Sequence, residues 1–157
     1  SLVHAFKFRG LPSAARAAGW AMARELGRRP GLSGFDALVP VPLHPRRERR
    51  RGYNQAEILA REIGAATGLS ILTLLERRQW AAPSWRLGRI ERRTRLSGAF
   101  TLRSGCEKSA EGRRLLLIDD VCSTGTTLEE CARALRGAGA GDVAGWVFAR
   151  AGSIASL

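Results

Sequence analysis

The chain has 157 residues, of which 45% are apolar, and a net charge of +12; this size and apolar fraction are ordinary for one globular domain with a core. Lys7 and Lys108 are the only lysines, so the positive charge comes almost entirely from arginine, whose planar guanidinium suits phosphate recognition. No apolar run reaches the roughly 18 residues that are needed to cross a bilayer, so we expect no membrane insertion. The three cysteines contain no C-x-x-C pair and encode neither a disulfide framework nor a zinc finger, so we expect a cytoplasmic protein.

The first half of the chain predicts two helices around a short strand. Small and apolar residues at helical spacing predict a helix over 13–29, which a Pro-Gly pair ends. The prolines within the apolar run 37–42 predict a strand that runs into a loop. A second apolar face predicts a helix over 53–67, with Gly68 as its stop.

The second half alternates strands with helices. Residues 69–75 predict a buried strand, and residues 77–95, where the apolar pattern is lost, predict a long loop or mobile hood. The remaining predicted elements are strands over 98–102, 114–118 and 143–149 and a helix over 126–136. This alternation predicts an α/β fold with a mostly parallel sheet, helices on both faces and a ligand at the carboxyl ends of the strands.

The sequence LLLIDDVCSTGTTL at 115–128 carries the strongest chemical signal. Its apolar strand ends in Asp119 and Asp120, whose carboxylates can accept hydrogen bonds from a vicinal diol or attract a divalent cation such as Mg²⁺. The following helix start offers unpaired amides and about half a positive charge, which favour a phosphate. The segment therefore predicts a ribose 5-phosphate site, whose phosphate-binding residues are Ser123, Thr124, Gly125, Thr126 and Thr127.

Two other protein classes also have an apolar strand that ends in Asp-Asp. A P-loop ATPase would need a G-x-x-x-x-G-K-[ST] loop, and neither lysine of this chain follows a glycine. A receiver domain would place its acceptor aspartate near the start of the chain and would not need the Thr-Gly-Thr-Thr turn. The ribose-phosphate interpretation is therefore favoured.

Residues 115–127 resemble the binding signature for phosphoribosyl pyrophosphate (PRPP) of type I phosphoribosyltransferases. More narrowly, the chain resembles the ComF family of bacterial competence-associated proteins, because HAFKFRG at 4–10, VPVPLHPRRERRRGYNQAEILA at 39–60 and GAF at 98–100 also match in order. The resemblance implies a single type I phosphoribosyltransferase-like domain over 1–157 with a flexible hood loop. Family members usually begin with a cysteine-rich zinc-binding segment, which is absent from this sequence.

The resemblance further implies a ligand and partners. The ligand is PRPP, with Mg²⁺ bridging its diphosphate and ribose hydroxyls at Asp119 and Asp120, and the reaction is phosphoribosyl transfer to a nitrogen acceptor. The family is also linked to DNA uptake through a helicase partner and single-stranded DNA. Where members tend to carry a Thr-x-Pro-Gln stretch in the hood, this chain has WAAPSW at 80–85, so the second substrate stays open.

Two arginine clusters are candidate anion sites. Arg46 and Arg47 lie in the loop expected after the first strand, where they would neutralise pyrophosphate, although a charge run is more often a solvated face. The segment 77–95 has seven arginines and two tryptophans, a composition of single-strand binders that also suits a basic hood with aromatic anchors. The nucleic-acid candidates in the two clusters are Arg49, Arg50, Arg51, Trp80, Trp85 and Arg86.

Three functions are compatible with these features. The first is a phosphoribosyltransferase, although no general base for a nucleobase acceptor is evident. The second is a non-catalytic module for DNA uptake that binds single-stranded DNA and a helicase, with the loop at 119–127 sensing a nucleotide ligand. The third is a regulator that binds PRPP without turnover. The loop at 119–127 favours binding of PRPP, whereas the net charge of +12 favours binding of single-stranded DNA.

Overall fold

The computed structural model of the protein describes residues 12–29, 34–78 and 97–150. Helices and strands alternate through most of these ranges, as expected of an α/β fold. The elements in chain order are α1 (Pro12–Leu26), β1 (Ala37–Pro40), α2 (Pro45–Arg51), α3 (Gln55–Thr67), β2 (Ser70–Ile71), β3 (Leu75–Arg77), β4 (Phe100–Leu102), α4 (Glu107–Ala110), β5 (Arg114–Cys122), α5 (Thr126–Gly137) and β6 (Asp142–Arg150).

The main sheet has four parallel strands in the order β2-β1-β5-β6. The central pair is in register from Ala37 opposite Leu115 to Pro40 opposite Ile118. Because all four strands run in the same direction, their carboxyl ends meet at one edge of the sheet. The sheet confirms the predicted α/β class with a mostly parallel sheet.

Each face of the sheet packs against its own helices. Leu38, Leu116 and Ile118 pack with α1 and α3 in one apolar core. Val39 and Leu117, the alternate residues, pack with α5, β3 and β4 in the other. Two-sided burial explains why β1 and residues 115–118 of β5 are continuous apolar runs.

Helix α2 forms where the sequence predicted only a loop. It has no buried residue and hence no apolar face that a pattern could reveal. Local caps define it instead: His44 Nδ1 accepts from the Arg46 amide at 3.2 Å, Pro45 starts the helix, and Gly52 ends it at a φ of 85°.

Throughout the described ranges, no helix combines the length and the apolar character that a membrane crossing requires.

Two predicted strands differ from the structure. The buried strand expected over 69–75 is wrong, because β2 is an exposed two-residue edge strand and Leu75 begins a separate strand. Strand β3 pairs antiparallel with β4 in a small second sheet, with Leu75 opposite Leu102. Strand β5 runs to Cys122 instead of ending at Ile118, because its pairing with β6 continues to that residue. Of the predicted hood, residues 79–96 lie outside the described residues.

Candidate functional site

A cleft of about 210 Å³ lies at the carboxyl edge of the main sheet. One wall is the end of β5 with Asp119 and Asp120, next to Thr127 at the start of α5. The lining also includes side chains from α2, the start of α3 and the end of β3; they are Arg47, Arg51, Asn54, Gln55 and Arg77. Carboxylates and guanidinium groups from distant parts of the sequence therefore share one cavity.

The acid pair lies within strand β5 itself. The Asp120 amide donates to Asp119 Oδ1 at 2.9 Å, and the Val121 amide donates to Asp120 Oδ1 at 2.7 Å, so each carboxylate is held by the following backbone amide. Burial and the neighbouring Asp120 carboxylate raise the pKa of Asp119 well above its ordinary value, while Arg77 acts in the opposite direction. Asp119 thus occupies a position where an added positive charge would be favourable.

The start of α5 has the features of an anion site. Gly125 is its N-cap at a φ of 84°, a conformation that glycine adopts without strain. His44 and Asn54 cap α2 and α3 with their side chains, but Gly125 has none to accept from the first amides of α5. The Thr124 and Thr126 hydroxyls lie 3.0 Å apart at this turn. Amides, hydroxyls and the positive end of the helix dipole therefore coincide at the predicted 5-phosphate residues.

The arginine run does not enter the cleft as a block. Because α2 is helical, Arg47 and Arg51 share one face one turn apart, and both line the cleft. Burial and the charges of Arg51 and Arg50 lower the pKa of Arg47. Arg46, predicted with Arg47 for pyrophosphate, is exposed and is not among the lining residues, and Arg49 is exposed as well. The other nucleic-acid candidates, Trp80, Trp85 and Arg86, lie outside the described residues.

Asn54 fastens the arginine-bearing segment to the sheet. It is 5% exposed, and its Nδ2 donates to the Val41 carbonyl at 3.1 Å while its Oδ1 accepts from the Ala56 amide at 3.1 Å. The Val41 amide in turn donates to the Ile118 carbonyl at 2.9 Å. One side chain therefore joins the end of β1 to the start of α3, and through Val41 to the acid-bearing strand.

Arg77 is a residue of the cleft that the sequence did not single out. It ends β3, and its guanidinium lies over the Phe100 ring, 5.3 Å from the ring centre. Burial and the nearby charge of Arg47 lower its pKa, and Asp119 opposes that effect. Arg77 was only the first arginine of an expected loop, so strand pairing with β4, and not a local motif, brings it to the site.

The donor set of the cleft fits a magnesium ion that is shared with a phosphorylated ligand. Mg²⁺ in proteins commonly takes one or two carboxylates together with phosphate oxygens and water. Asp119 and Asp120 supply two carboxylates, and within 12–29, 34–78 and 97–150 no group of three or more His, Cys, Asp or Glu side chains could hold a metal. The described residues thus suit a metal whose remaining ligands come from the bound molecule.

Comparison with known proteins agrees with this architecture. Residues 49–153 match the phosphoribosyl transferase domain family. Competence protein F of Haemophilus influenzae is 36% identical over 117 residues, covering 74% of this chain and 51% of that protein. Competence protein ComFC of Streptococcus pneumoniae is 39% identical over 107 residues, covering 68% and 44%. DNA utilization protein YhgH of Salmonella typhimurium is 33% identical over 154 residues, covering 95% and 66%. The chain thus spans about half to two thirds of these relatives' length.

Solved structures share the fold at low sequence identity. The glutamine PRPP amidotransferase of B. subtilis, complexed with ADP and GMP, superposes with a TM-score of 0.56 at 19% identity, covering 85% of this chain and 26% of that one. The hypoxanthine phosphoribosyl transferase of Trypanosoma cruzi superposes with a TM-score of 0.51 at 13% identity, covering 90% and 76%. With its parallel sheet and its similarity to the competence proteins, the chain belongs to the ComF family of the type I phosphoribosyltransferase superfamily.

Proposed function

We propose that the cleft binds PRPP, or a ribose 5-phosphate, together with Mg²⁺. Asp119 and Asp120 hold the ribose diol and the metal, and the turn at 123–127 holds the 5-phosphate. Arg47 contacts the diphosphate. In this assignment the anionic groups of the ligand meet amides and guanidinium groups, and its hydroxyl groups meet carboxylates.

One observation carries the proposal: the acid pair, two arginines of α2 and Thr127 in the first turn of α5 all line the same cleft, Thr127 being the one predicted 5-phosphate residue among the lining residues. A diol next to two phosphate groups needs hydrogen-bond acceptors between two positive regions. The cleft has the acceptors on β5, one positive region at the start of α5 and the other at Arg47 and Arg51. The matched phosphoribosyl transferase domain family supports the same ligand class.

The proposed reaction is transfer of the phosphoribosyl group to a nitrogen acceptor. The bond from the anomeric carbon to the diphosphate oxygen breaks, and a bond from that carbon to the acceptor nitrogen forms. Since the carbon becomes oxocarbenium-like and the diphosphate takes the bonding electrons, catalysis rests on positioning and electrostatics. Arg47 stabilises the departing diphosphate, and the Asp119 carboxylate lies near the developing positive charge. Bound Mg²⁺ would neutralise charge on the diphosphate.

The test is calorimetric titration of PRPP with Mg²⁺ into the wild type and into the Asp119→Asn, Asp120→Asn double variant. We expect saturable binding to the wild type and loss of it in the variant. Asp142→Asn is the matched control, because Asp142 is an exposed carboxylate at the opposite end of the sheet. A wild type that does not bind PRPP would contradict the proposal; if it binds, screening nitrogen bases for release of pyrophosphate tests turnover.

A second candidate is a non-catalytic module for DNA uptake that binds single-stranded DNA and a helicase partner. The observation that favours it is the outer surface of α2, where Arg46, Arg49 and Arg50 are exposed. The names of the relatives, competence protein and DNA utilization protein, point to the same process. Exposed guanidinium groups on one short helix form a surface that phosphates of a polymer can reach.

This candidate is tested by titrating a labelled single strand at several salt concentrations. A real site saturates at a fixed stoichiometry, and each lost phosphate contact lowers the salt slope by about 0.7 for single strands. We expect an Arg49→Ser, Arg50→Ser variant to bind DNA more weakly and PRPP as the wild type does. Arg16→Ser, Arg61→Ser removes the same charge from α1 and α3 and serves as control. Equal DNA binding by both variants would exclude the α2 surface.

A further inference from the structure

Two buried hydrogen-bond donors of the cleft have no acceptor among the described residues. In the part of the chain that the structure describes, three buried side-chain nitrogens lack a hydrogen-bond partner, namely Gln55 Nε2, Arg77 Nε and Trp146 Nε1. The indole of Trp146 lies under the Arg29 guanidinium, 4.9 Å away, outside the cleft. Gln55 and Arg77 both line the cleft. Because an unsatisfied buried donor costs about 1–3 kcal/mol, two of them in one cavity call for a ligand oxygen.

Their position in the cleft indicates which part of a ligand they meet. Gln55 begins α3, directly after Asn54, and is 3% exposed. Arg77 ends β3, and burial and the nearby charge of Arg47 lower its pKa. Gln55 and Arg77 therefore line the same cleft as Arg47, the residue to which the proposed function assigns the diphosphate.

A neighbouring cavity shows why the phosphates belong in the first cleft. This cavity has a volume of about 170 Å³ and shares Asn54 and Arg77 with the cleft. Its remaining charged residues are Glu48, Glu57, Glu76 and Arg103, so carboxylates outnumber arginines there and repel an anion. Arg77 separates the two cavities, and the cavity with Arg47 and Arg51 is the one suited to phosphate.

We infer that Arg77 and Gln55 are diphosphate-contacting residues of the PRPP site, a role that rests on the proposed function. Arg77 donates its guanidinium N–H groups to diphosphate oxygens. The Phe100 ring, 5.3 Å from the guanidinium, supports this group by a cation–π contact. Gln55 donates its amide to an oxygen of the same group. A diphosphate arginine thus also comes from β3, outside the arginine run of α2.

The experiment compares two ligands that differ only in the diphosphate. PRPP with Mg²⁺ and ribose 5-phosphate are titrated calorimetrically into the wild type, Arg77→Met and Gln55→Met. Methionine keeps the unbranched apolar stem of either residue and removes the donors. Arg78→Met is the matched control, because Arg78 is the next residue, is exposed and pairs with Glu76.

We expect Arg77→Met to weaken PRPP binding about 10- to 100-fold and Gln55→Met about 3- to 10-fold, with ribose 5-phosphate binding unchanged in both. Arg77→Lys should recover part of the loss, since it keeps the charge without the planar fork. PRPP affinity of Arg77→Met equal to that of Arg78→Met would overturn the assignment, and so would equal losses for both ligands. A wild type that binds no PRPP would overturn the proposed function as well.

Discussion

Asn54 offers the sharpest test of how the cleft is held together. Replacing Asn54 with alanine removes the cap of α3, worth about 1 kcal/mol, and leaves the buried Val41 carbonyl without its donor, at a cost of about 1–2 kcal/mol. The free energy of unfolding should therefore fall by about 2–3 kcal/mol. For a domain of this size the melting temperature should drop by roughly 5–10 °C.

Asn54→Ser separates the two contributions. A serine hydroxyl can still cap α3 but is too short to reach the Val41 carbonyl, so this variant should lose only about 1–2 kcal/mol. Urea unfolding, followed by circular dichroism, gives the three free energies. Equal stability of the serine and alanine variants would show that the cap contributes nothing, and a loss below about 0.5 kcal/mol for alanine would refute the reasoning altogether.

Three further predictions concern the acid pair, the phosphate turn and α5. Burial and Asp120 raise the folded-state pKa of Asp119, so the free energy of unfolding should fall as the pH rises from the ordinary carboxyl pKa to the raised one. Above that pH window, Asp119→Asn should unfold at a higher urea concentration than the wild type. Urea unfolding midpoints of both proteins, measured between about pH 4 and pH 8, test this prediction. Gly125 has a φ of 84°, so Gly125→Ala should lower the free energy of unfolding by about 1–2 kcal/mol and should also weaken ribose 5-phosphate binding. Gly112 has a φ of 67° and does not line the cleft, so the control variant Gly112→Ala should reduce stability without changing binding. Glu130 is 8% exposed, accepts a hydrogen bond from the Gly98 amide at 3.0 Å and forms an ion pair with an arginine of its own helix. Glu130→Gln should therefore lower the free energy of unfolding by about 1 kcal/mol. An unchanged urea unfolding midpoint would contradict this prediction.

The sequence predicted those parts of the fold whose signal is local. Strand β1 and residues 115–118 of β5 are continuous apolar runs because both faces of the sheet are buried there, and α3 and α5 carry apolar residues at helical spacing. The acid pair and the turn at 123–127 could be singled out as candidate residues for the same reason, since the segment 119–127 is contiguous. The α/β class followed from the order of these elements.

The parts that were missed depend on distant contacts or on charged residues. Helix α2 has no apolar face, so the arginine run could not be assigned a helical phase. Without that phase, nothing distinguished Arg47, which lines the cleft, from Arg46, which does not. Arg77 reaches the cleft only because β3 pairs with β4, more than 20 residues later in the chain. The edge strand at 70–71 is too short and too exposed for any periodicity.

Because Asp119 and Asp120 are neighbours within a strand, each of them lies next to a different packing layer of the fold. Neighbouring residues of a strand face opposite sides, so Asp119 lies on the side of Leu117, α5 and β3, and Asp120 on the side of Ile118, α1 and α3. A change in packing volume in one layer should therefore act first on the carboxylate that lies on the same side of the sheet. Natural variation in the two cores can therefore retune each carboxylate separately, without any substitution in the acid pair itself.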